Sequence, residues 1–327
     1  MPARTASDSL VLGTWGLSGR GRLPIDRSYG EVADDVAYET MDRAWEAGLR
    51  IIDTAPGYGA GEGLRRVGQW QRTRGRWWRN VAKPGRPLTG RGPVSDLSLP
   101  GLVAEIEYGA AFAGRPGYIL VKDPDIRSIS DGSLAETLRS LENRFPAATV
   151  GVASHFPEAL AEFAERCHPP GARIAQIELN AVNHRVACPA AGRLDARGWE
   201  VWAMQPLAYG FLAHPDFVPI PGTDWRSHLP AETQAVMRAA AHGFARAVHS
   251  VREPGSPPTA RTTAPAAWAI AFCLSVPSVT RIVIGPKNAA QLEAALHALD
   301  LVSKPDLAER LRTWATGAPN GSAGSES

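Results

Sequence analysis

Eight times along the chain, a short run of aliphatic and β-branched residues is followed by a stretch whose apolar positions recur every three to four residues. The runs are "LVLGTWGL", "RIIDTA", "NVAKPG", "YILVKDPD", "TVGVASH", "IAQIELNAV", "WEVWAMQPLA" and "TRIVIG". They are apolar nearly throughout, as strands covered on both faces are, which predicts a parallel sheet. The intervening segments carry helical stripes. Val36, Ala37, Met41, Ala44, Trp45 and Gly48 share one face of residues 32–48, and Gly48 stands where a C-cap glycine belongs. Leu134, Leu138, Leu141 and Phe145 do so in 133–145, behind an expected capping box of Ser133 and Glu136. Leu160, Phe163, Ala164 and Cys167 repeat the pattern, as do Leu292, Ala295, Leu296 and Leu299.

Eight βα units in about 300 residues predict an α/β fold, a single-domain (β/α)8 TIM barrel. The alternative is a doubly wound open sheet, but "VLGTWGLSGRG" lacks the GxGxxG spacing that such a sheet uses in its first turn. An insertion, residues 209–261, follows strand 7 and holds a helix in "LPAETQAVMRAAAHGFARAVHSV" and a breaker run in "REPGSPPTARTTAP". Residues 1–8 and 317–327 read as disordered, leaving 9–316 as the domain.

Composition narrows the function. The net charge of +2, with no basic block interleaved with aromatics, argues against nucleic acid. No run is long and apolar enough to cross a membrane, and "MPARTASDSL" has no signal-peptide core. Cys167, Cys188 and Cys273 are scattered and read as free thiols of a cytoplasmic protein. No CxxC, HxxxH or HxxH spacing points to a metal.

Lysine is rare: 31 of the 35 basic residues are arginine. Three of the four lysines fall at strand ends, where a barrel opens its active-site mouth: Lys83, Lys122 and Lys287. Asp53, Tyr58, Ser154, His155, Gln176 and Gln205 share that position. A phenol beside an ammonium and a carboxylate is a proton-donor assembly. The cation should lower the phenol's ordinary value of about 10, and the carboxylate should hold the cation in place. By itself an Asp53–Lys83 pair would read as a buried stabilising ion pair. Trp15 and Trp225 are pocket candidates, whereas Trp77 and Trp78 read as a loop anchor or a docking patch.

The segments "GTWGL", "GLRIIDTAPGYGAGE", "VAKPGRP", "YILVKDPD", "VGVASHF", "AQIELN", "QPLAYGFL" and "IVIGPKNAAQLEAAL" resemble, in order and spacing, the aldo-keto reductase superfamily. The likeness is to bacterial members acting on sugars and small carbonyls. It implies a barrel that binds NADPH across its mouth, NADP(H) in preference to NAD(H), and transfers hydride to a carbonyl carbon. Residue by residue, it implies Tyr58 as general acid tuned by Lys83 and Asp53, with Gln176 and Ser154 on the carboxamide. Thr14 and Trp15 would line the nicotinamide pocket. Gln205, Leu207 and Gly210 would cover the pyrophosphate, and Gly285, Lys287, Asn288 and Gln291 the adenosine end.

Against that pattern, Lys122 stands where the family places histidine. It would stabilise a developing alkoxide, grip an anionic group of the substrate, or pair with Asp123 or Asp125 and point away. Two neighbouring ammonium groups should depress one pKa unless carboxylates compensate. His155 replaces an asparagine, Met204 an aromatic ring, and Ala295 an asparagine that reads adenine. The expected function is reduction of a polar small-molecule carbonyl, anionic ones included, or of a related C=N or C=C bond. The alternatives are a cofactor-binding regulatory module, or an epimerase without net redox turnover. Oligomeric state is not legible.

Overall fold

The computed structural model describes residues 5–19, 29–85, 96–167, 173–219, 224–251 and 265–303. Eight parallel strands close into a barrel in chain order, so the open-sheet alternative is overturned. They are β1 Leu10–Gly13, β2 Ile51–Thr54, β3 Arg79–Ala82, β4 Tyr118–Lys122, β5 Thr149–Ser154, β6 Arg173–Glu178, β7 Trp199–Met204 and β8 Val279–Ile284. The helices are α1 Ala6–Ser9, α2 Asp34–Glu46, α3 Glu62–Arg74, α4 Leu99–Ala113, α5 Ile126–Asp131, α6 Ser133–Arg144, α7 Pro157–Cys167, α8 His184–Asp195, α9 Ala231–Val251, α10 Pro265–Ser275 and α11 Ala289–Val302.

Order begins earlier than the pattern implied. Thr5 caps α1, a single turn within the stretch expected to be disordered. The breaker run and the C-terminal tail lie outside the described residues. The inserted helix forms as expected, as α9. No described helix is long and apolar enough to cross a membrane, and all three cysteines are free thiols.

Gly48 terminates α2 with φ +93°, and the amide of Leu49 reaches back to the carbonyl of Ala44, as a helix-ending glycine allows. The expected capping box does not form. Gly132, with φ +85°, occupies the cap of α6, and Asp131 accepts from the Ser133 amide instead. A glycine free to turn left-handed between α5 and α6 displaces serine from the cap by one residue.

Two apolar layers place the site. Outward-facing strand residues pack beneath the helices. Inward-facing ones, among them Ile51, Val81, Leu120, Ala153, Ile174 and Met204, fill the barrel. Because strand side chains alternate, the residues two positions farther along continue the inward set. These are Asp53, Lys83, Lys122, His155 and Gln176, so a polar tier stands on an apolar floor. At the opposite end of the barrel, Trp78 is buried against Trp45 and Trp70, with ring centroids 5.0 and 5.2 Å away, while Trp77 is exposed. The loop anchor is therefore Trp78.

Candidate active site

The Lys83 ammonium lies 2.7 Å from Asp53 Oδ1, and both side chains are buried. Gln176 binds both partners: its Oε1 accepts from Lys83 Nζ at 3.3 Å and its Nε2 donates to Asp53 Oδ2 at 2.9 Å. A buried ion pair needs such extra hydrogen bonds to offset the solvation it loses. Tyr58 sits in the turn Tyr58–Gly61 just after β2, where the Lys83 ammonium stands beside its ring and its charge acts on the phenol. Gly59 lets this turn press against the β1 loop: its φ is +57°, and a Cβ there would lie 2.5 Å from the carbonyl oxygen of Ser18.

Two ammonium groups approach the Tyr58 ring, Lys83 at 5.0 Å and Lys122 at 4.8 Å from its centroid. Lys122 also lies 5.8 Å from the Trp15 ring centroid, so it turns into the mouth, not away. Asp125 is occupied in capping α5, and Asp123 Oδ1 lies 2.6 Å from His155 Nδ1.

The electrostatics correct one expectation. Burial pushes the Tyr58 phenol up to about 12, outweighing the lowering charge of Lys83. For Lys83, burial alone would lower the pKa, but the charge of Asp53 reverses this and holds it above the ordinary lysine range. The carboxylate thus supplies the compensation that two neighbouring cations require.

A roof of aromatic rings covers this tier. The Trp15 centroid is 5.4 Å from that of Tyr58, 6.2 Å from Tyr29 and 6.5 Å from Trp225. Arg226, forked onto Asp224, stacks over Tyr29 at 4.7 Å. Loss of solvent pushes the Tyr29 phenol up to about 12, against the lowering charge of Arg226. Tyr29, Glu178 and Arg226 were not singled out from sequence, and Asp123 was named only as a partner for Lys122. Glu178 was within reach of the sequence, since Ile174, Gln176 and Glu178 alternate along one strand. Its carboxyl is raised by burial.

The remaining expected residues fall into two groups. At the mouth, Thr14 is fully buried with its hydroxyl unpartnered, Ser154 Oγ accepts from the Phe156 amide, and Met204 lies in the inward layer. Leu207 and Gly210 bound a tight turn over Ala208–Gly210, where Gly210 has φ +92°. The second group, Gly285, Lys287, Asn288 and Gln291, lies between β8 and the start of α11. There Asn288 Oδ1 accepts from the Gln291 amide, and Gln291 Oε1 accepts from the Lys287 amide. Burial lowers the Lys287 ammonium, and the neighbouring charge of Arg226 lowers it further. Since Asn288 caps α11, Asn288→Ala should cost about 1 kcal/mol in chemical denaturation; an unchanged midpoint would remove the cap from the account. Ala295 is buried in the helix-facing core.

Residues 9–82 match the Aldo/keto reductase family, a segment that contains Asp53 and Tyr58 and stops one residue short of Lys83. A D-threo-aldose 1-dehydrogenase of a Pseudomonas species is 36% identical over 58 residues, 18% of each protein's length. Two solved structures resemble nearly the whole chain. The glycerol dehydrogenase of Gluconobacter oxydans has a TM-score of 0.69 at 20% identity, over 95% of this chain and 93% of its own. An aldo-keto reductase of Bacillus halodurans in its holo form has a TM-score of 0.63 at 16% identity, over 94% of this chain and 95% of its own. This chain carries an aldo/keto reductase signature in its first quarter, and over nearly its whole length it shares the barrel fold of the two solved structures.

Proposed function

We propose that this protein is an NADPH-dependent oxidoreductase of the aldo-keto reductase type, acting on a polar small-molecule carbonyl with Tyr58 as proton donor. The observation that carries this reading is the buried Asp53–Lys83 pair set against the Tyr58 hydroxyl, with a second ammonium, Lys122, at the ring. The names of the relatives, an aldose dehydrogenase and a glycerol dehydrogenase, accord with an oxidoreductase of hydroxylated substrates.

The mouth fits a nicotinamide. Thr14 Oγ1 and Gln205 Oε1 are buried there without partners, beside the Trp15 ring and the Met204 thioether. Thr14, Trp15, Ser154, His155 and Met204 would hold the ring end, and Gln205, which the resemblance put over the pyrophosphate, would join them because its side chain meets His155. Leu207 and Gly210 would cover the diphosphate. Gly285, Lys287, Asn288 and Gln291 would take the adenosine end, with Lys287 favouring NADP over NAD. When bound, the dinucleotide supplies hydride to the carbonyl carbon.

The protein's own part is to place and hold protons. At neutral pH the Tyr58 phenol keeps its proton, and the developing alkoxide, a stronger base than phenolate, takes it. Lys83 then stabilises the phenolate left behind, and Asp53 and Gln176 fix Lys83. Lys122 donates a charged hydrogen bond to the substrate oxygen.

A carbonyl panel assayed by NADPH consumption tests this reading, and binding without turnover across the panel would overturn it. Lys122→Met should lower kcat by about 10²-fold, the cost of one oxyanion donor. Lys122→His should retain most activity while making it pH-dependent near neutrality. If neither substitution alters rate or pH profile, Lys122 has no part in the chemistry.

A further inference from the structure

His155 continues the inward alternation of β5, so its imidazole enters the mouth above the apolar floor. Asp123 and Gln205 have the opposite parity and would face outward in regular strands. Both adopt left-handed backbone, with φ of +45° and +57°, an uncommon conformation for non-glycine residues that calls for a reason. It brings both side chains to the same ring: Asp123 Oδ1 is 2.6 Å from Nδ1, and Gln205 Nε2 is 3.0 Å from Nε2.

The partners assign the proton. An amide nitrogen only donates, so His155 Nε2 accepts, and Nδ1 carries the hydrogen and donates to Asp123. The imidazole in this arrangement is neutral. The far end of the same amide, Gln205 Oε1, is buried with no partner. A buried acceptor in that condition is what a ligand N–H or O–H would complete.

Protonation reverses the arrangement. An imidazolium has two donors and no acceptor, so it repels Gln205 Nε2 and attracts Oε1. A half-turn of the amide satisfies Oε1 and carries the NH2 to the place Oε1 held. Among the described residues, the charged groups around the ring are Asp123 at the end of β4, Glu178 at the end of β6, and Lys122 beside Asp123. Asn180 secures the surroundings, donating to Glu178 Oε1 at 3.4 Å and to the backbone carbonyl of Gln205 at 3.2 Å.

We propose that Asp123, His155 and Gln205 form a polarity switch in the mouth, offering a ligand the acceptor Oε1 when His155 is neutral and the donor Nε2 when it is charged. The ligand group concerned, the carboxamide N–H of nicotinamide, rests on the cofactor reading above; the switch itself does not.

Two measurements decide it. In the free protein, with histidine and glutamine labelled with nitrogen-15, NMR should show His155 as the Nδ1–H tautomer at about pH 8.5. Lowering the pH until the ring takes up a second proton should move the Gln205 side-chain amide resonances in step. An Nε2–H tautomer at high pH, or Gln205 resonances that stay still while His155 titrates, would overturn the switch. The second measurement compares NADP with its acetylpyridine analogue, which has a methyl ketone in place of the carboxamide, by quenching of tryptophan fluorescence. The preference for NADP should be about tenfold larger at the higher pH, the worth of one hydrogen bond, and His155→Asn should remove that pH dependence. A preference that does not change with pH would overturn the assignment of Oε1 to the carboxamide. Failure of both dinucleotides to bind would sink the cofactor reading alone, and NMR would still decide the switch.

Discussion

Replacing Tyr58 by phenylalanine should reduce carbonyl turnover by about 10²- to 10⁴-fold, the range for loss of a positioned general acid. NADPH should still bind, because the ring and its contact with Trp15 survive the substitution. The same variant should change the alkaline limb of the stability curve. Tyr58 has its phenol raised from 10.0 to about 12 by burial. The unfolded chain therefore loses this proton first as pH rises. The contribution is complete below about pH 10 and disappears by about pH 12, an effect of about 2–3 kcal/mol. Lys83 acts in the same direction, since its folded pKa is also raised. Its contribution is present below the ordinary lysine range and is lost as pH passes the folded value. Tyr58→Phe should thus flatten the loss of stability above pH 10 without abolishing it. Turnover close to that of the parent in a stopped-flow NADPH assay would place the proton donor elsewhere.

The barrel was legible because eight apolar runs separated by helical stripes admit few arrangements, and parallel strands need covering on both faces. The strand-end residues followed from it, since the mouth collects them wherever the chain is closed. The sign of the Tyr58 shift was not legible. Sequence places a cation near a phenol, but the solvent that the phenol loses depends on Trp15 and the surrounding packing, which the local stretch "DTAPGYG" does not reveal. The contacts of Asp123 and Gln205 with His155 were hidden for a different reason. Strand alternation assigns both residues outward, and only their left-handed backbone turns them to His155. The capping box at Ser133 failed through a competing local preference, because Gly132 took the cap. Tyr29 lies in a loop without periodicity, and its partner Trp225 is nearly 200 residues away in sequence. That contact is tertiary and leaves no mark on either segment.

Asp53→Asn should destabilise the fold by about 3–5 kcal/mol at neutral pH, the cost of removing one partner from a buried ion pair. Asparagine keeps the shape and can still meet Gln176, so the loss is chiefly that of the negative charge opposite Lys83. Gln176 Oε1 and the Tyr58 hydroxyl remain near the ammonium, but neither is anionic at neutral pH. Burial would then dominate and lower the lysine pKa, so the variant should recover part of its deficit as pH rises and Lys83 becomes neutral. The parent protein changes the other way over that range, which makes the difference between the two curves diagnostic. The double variant Asp53→Asn/Lys83→Met removes both charges and should be more stable than Asp53→Asn alone, since no buried ion is left uncompensated. Urea unfolding of the three proteins across pH measures this. A double variant less stable than the single one would show that Lys83 holds the barrel together through contacts other than its pairing with Asp53, and the tier would then be a structural core in which the phenol is incidental.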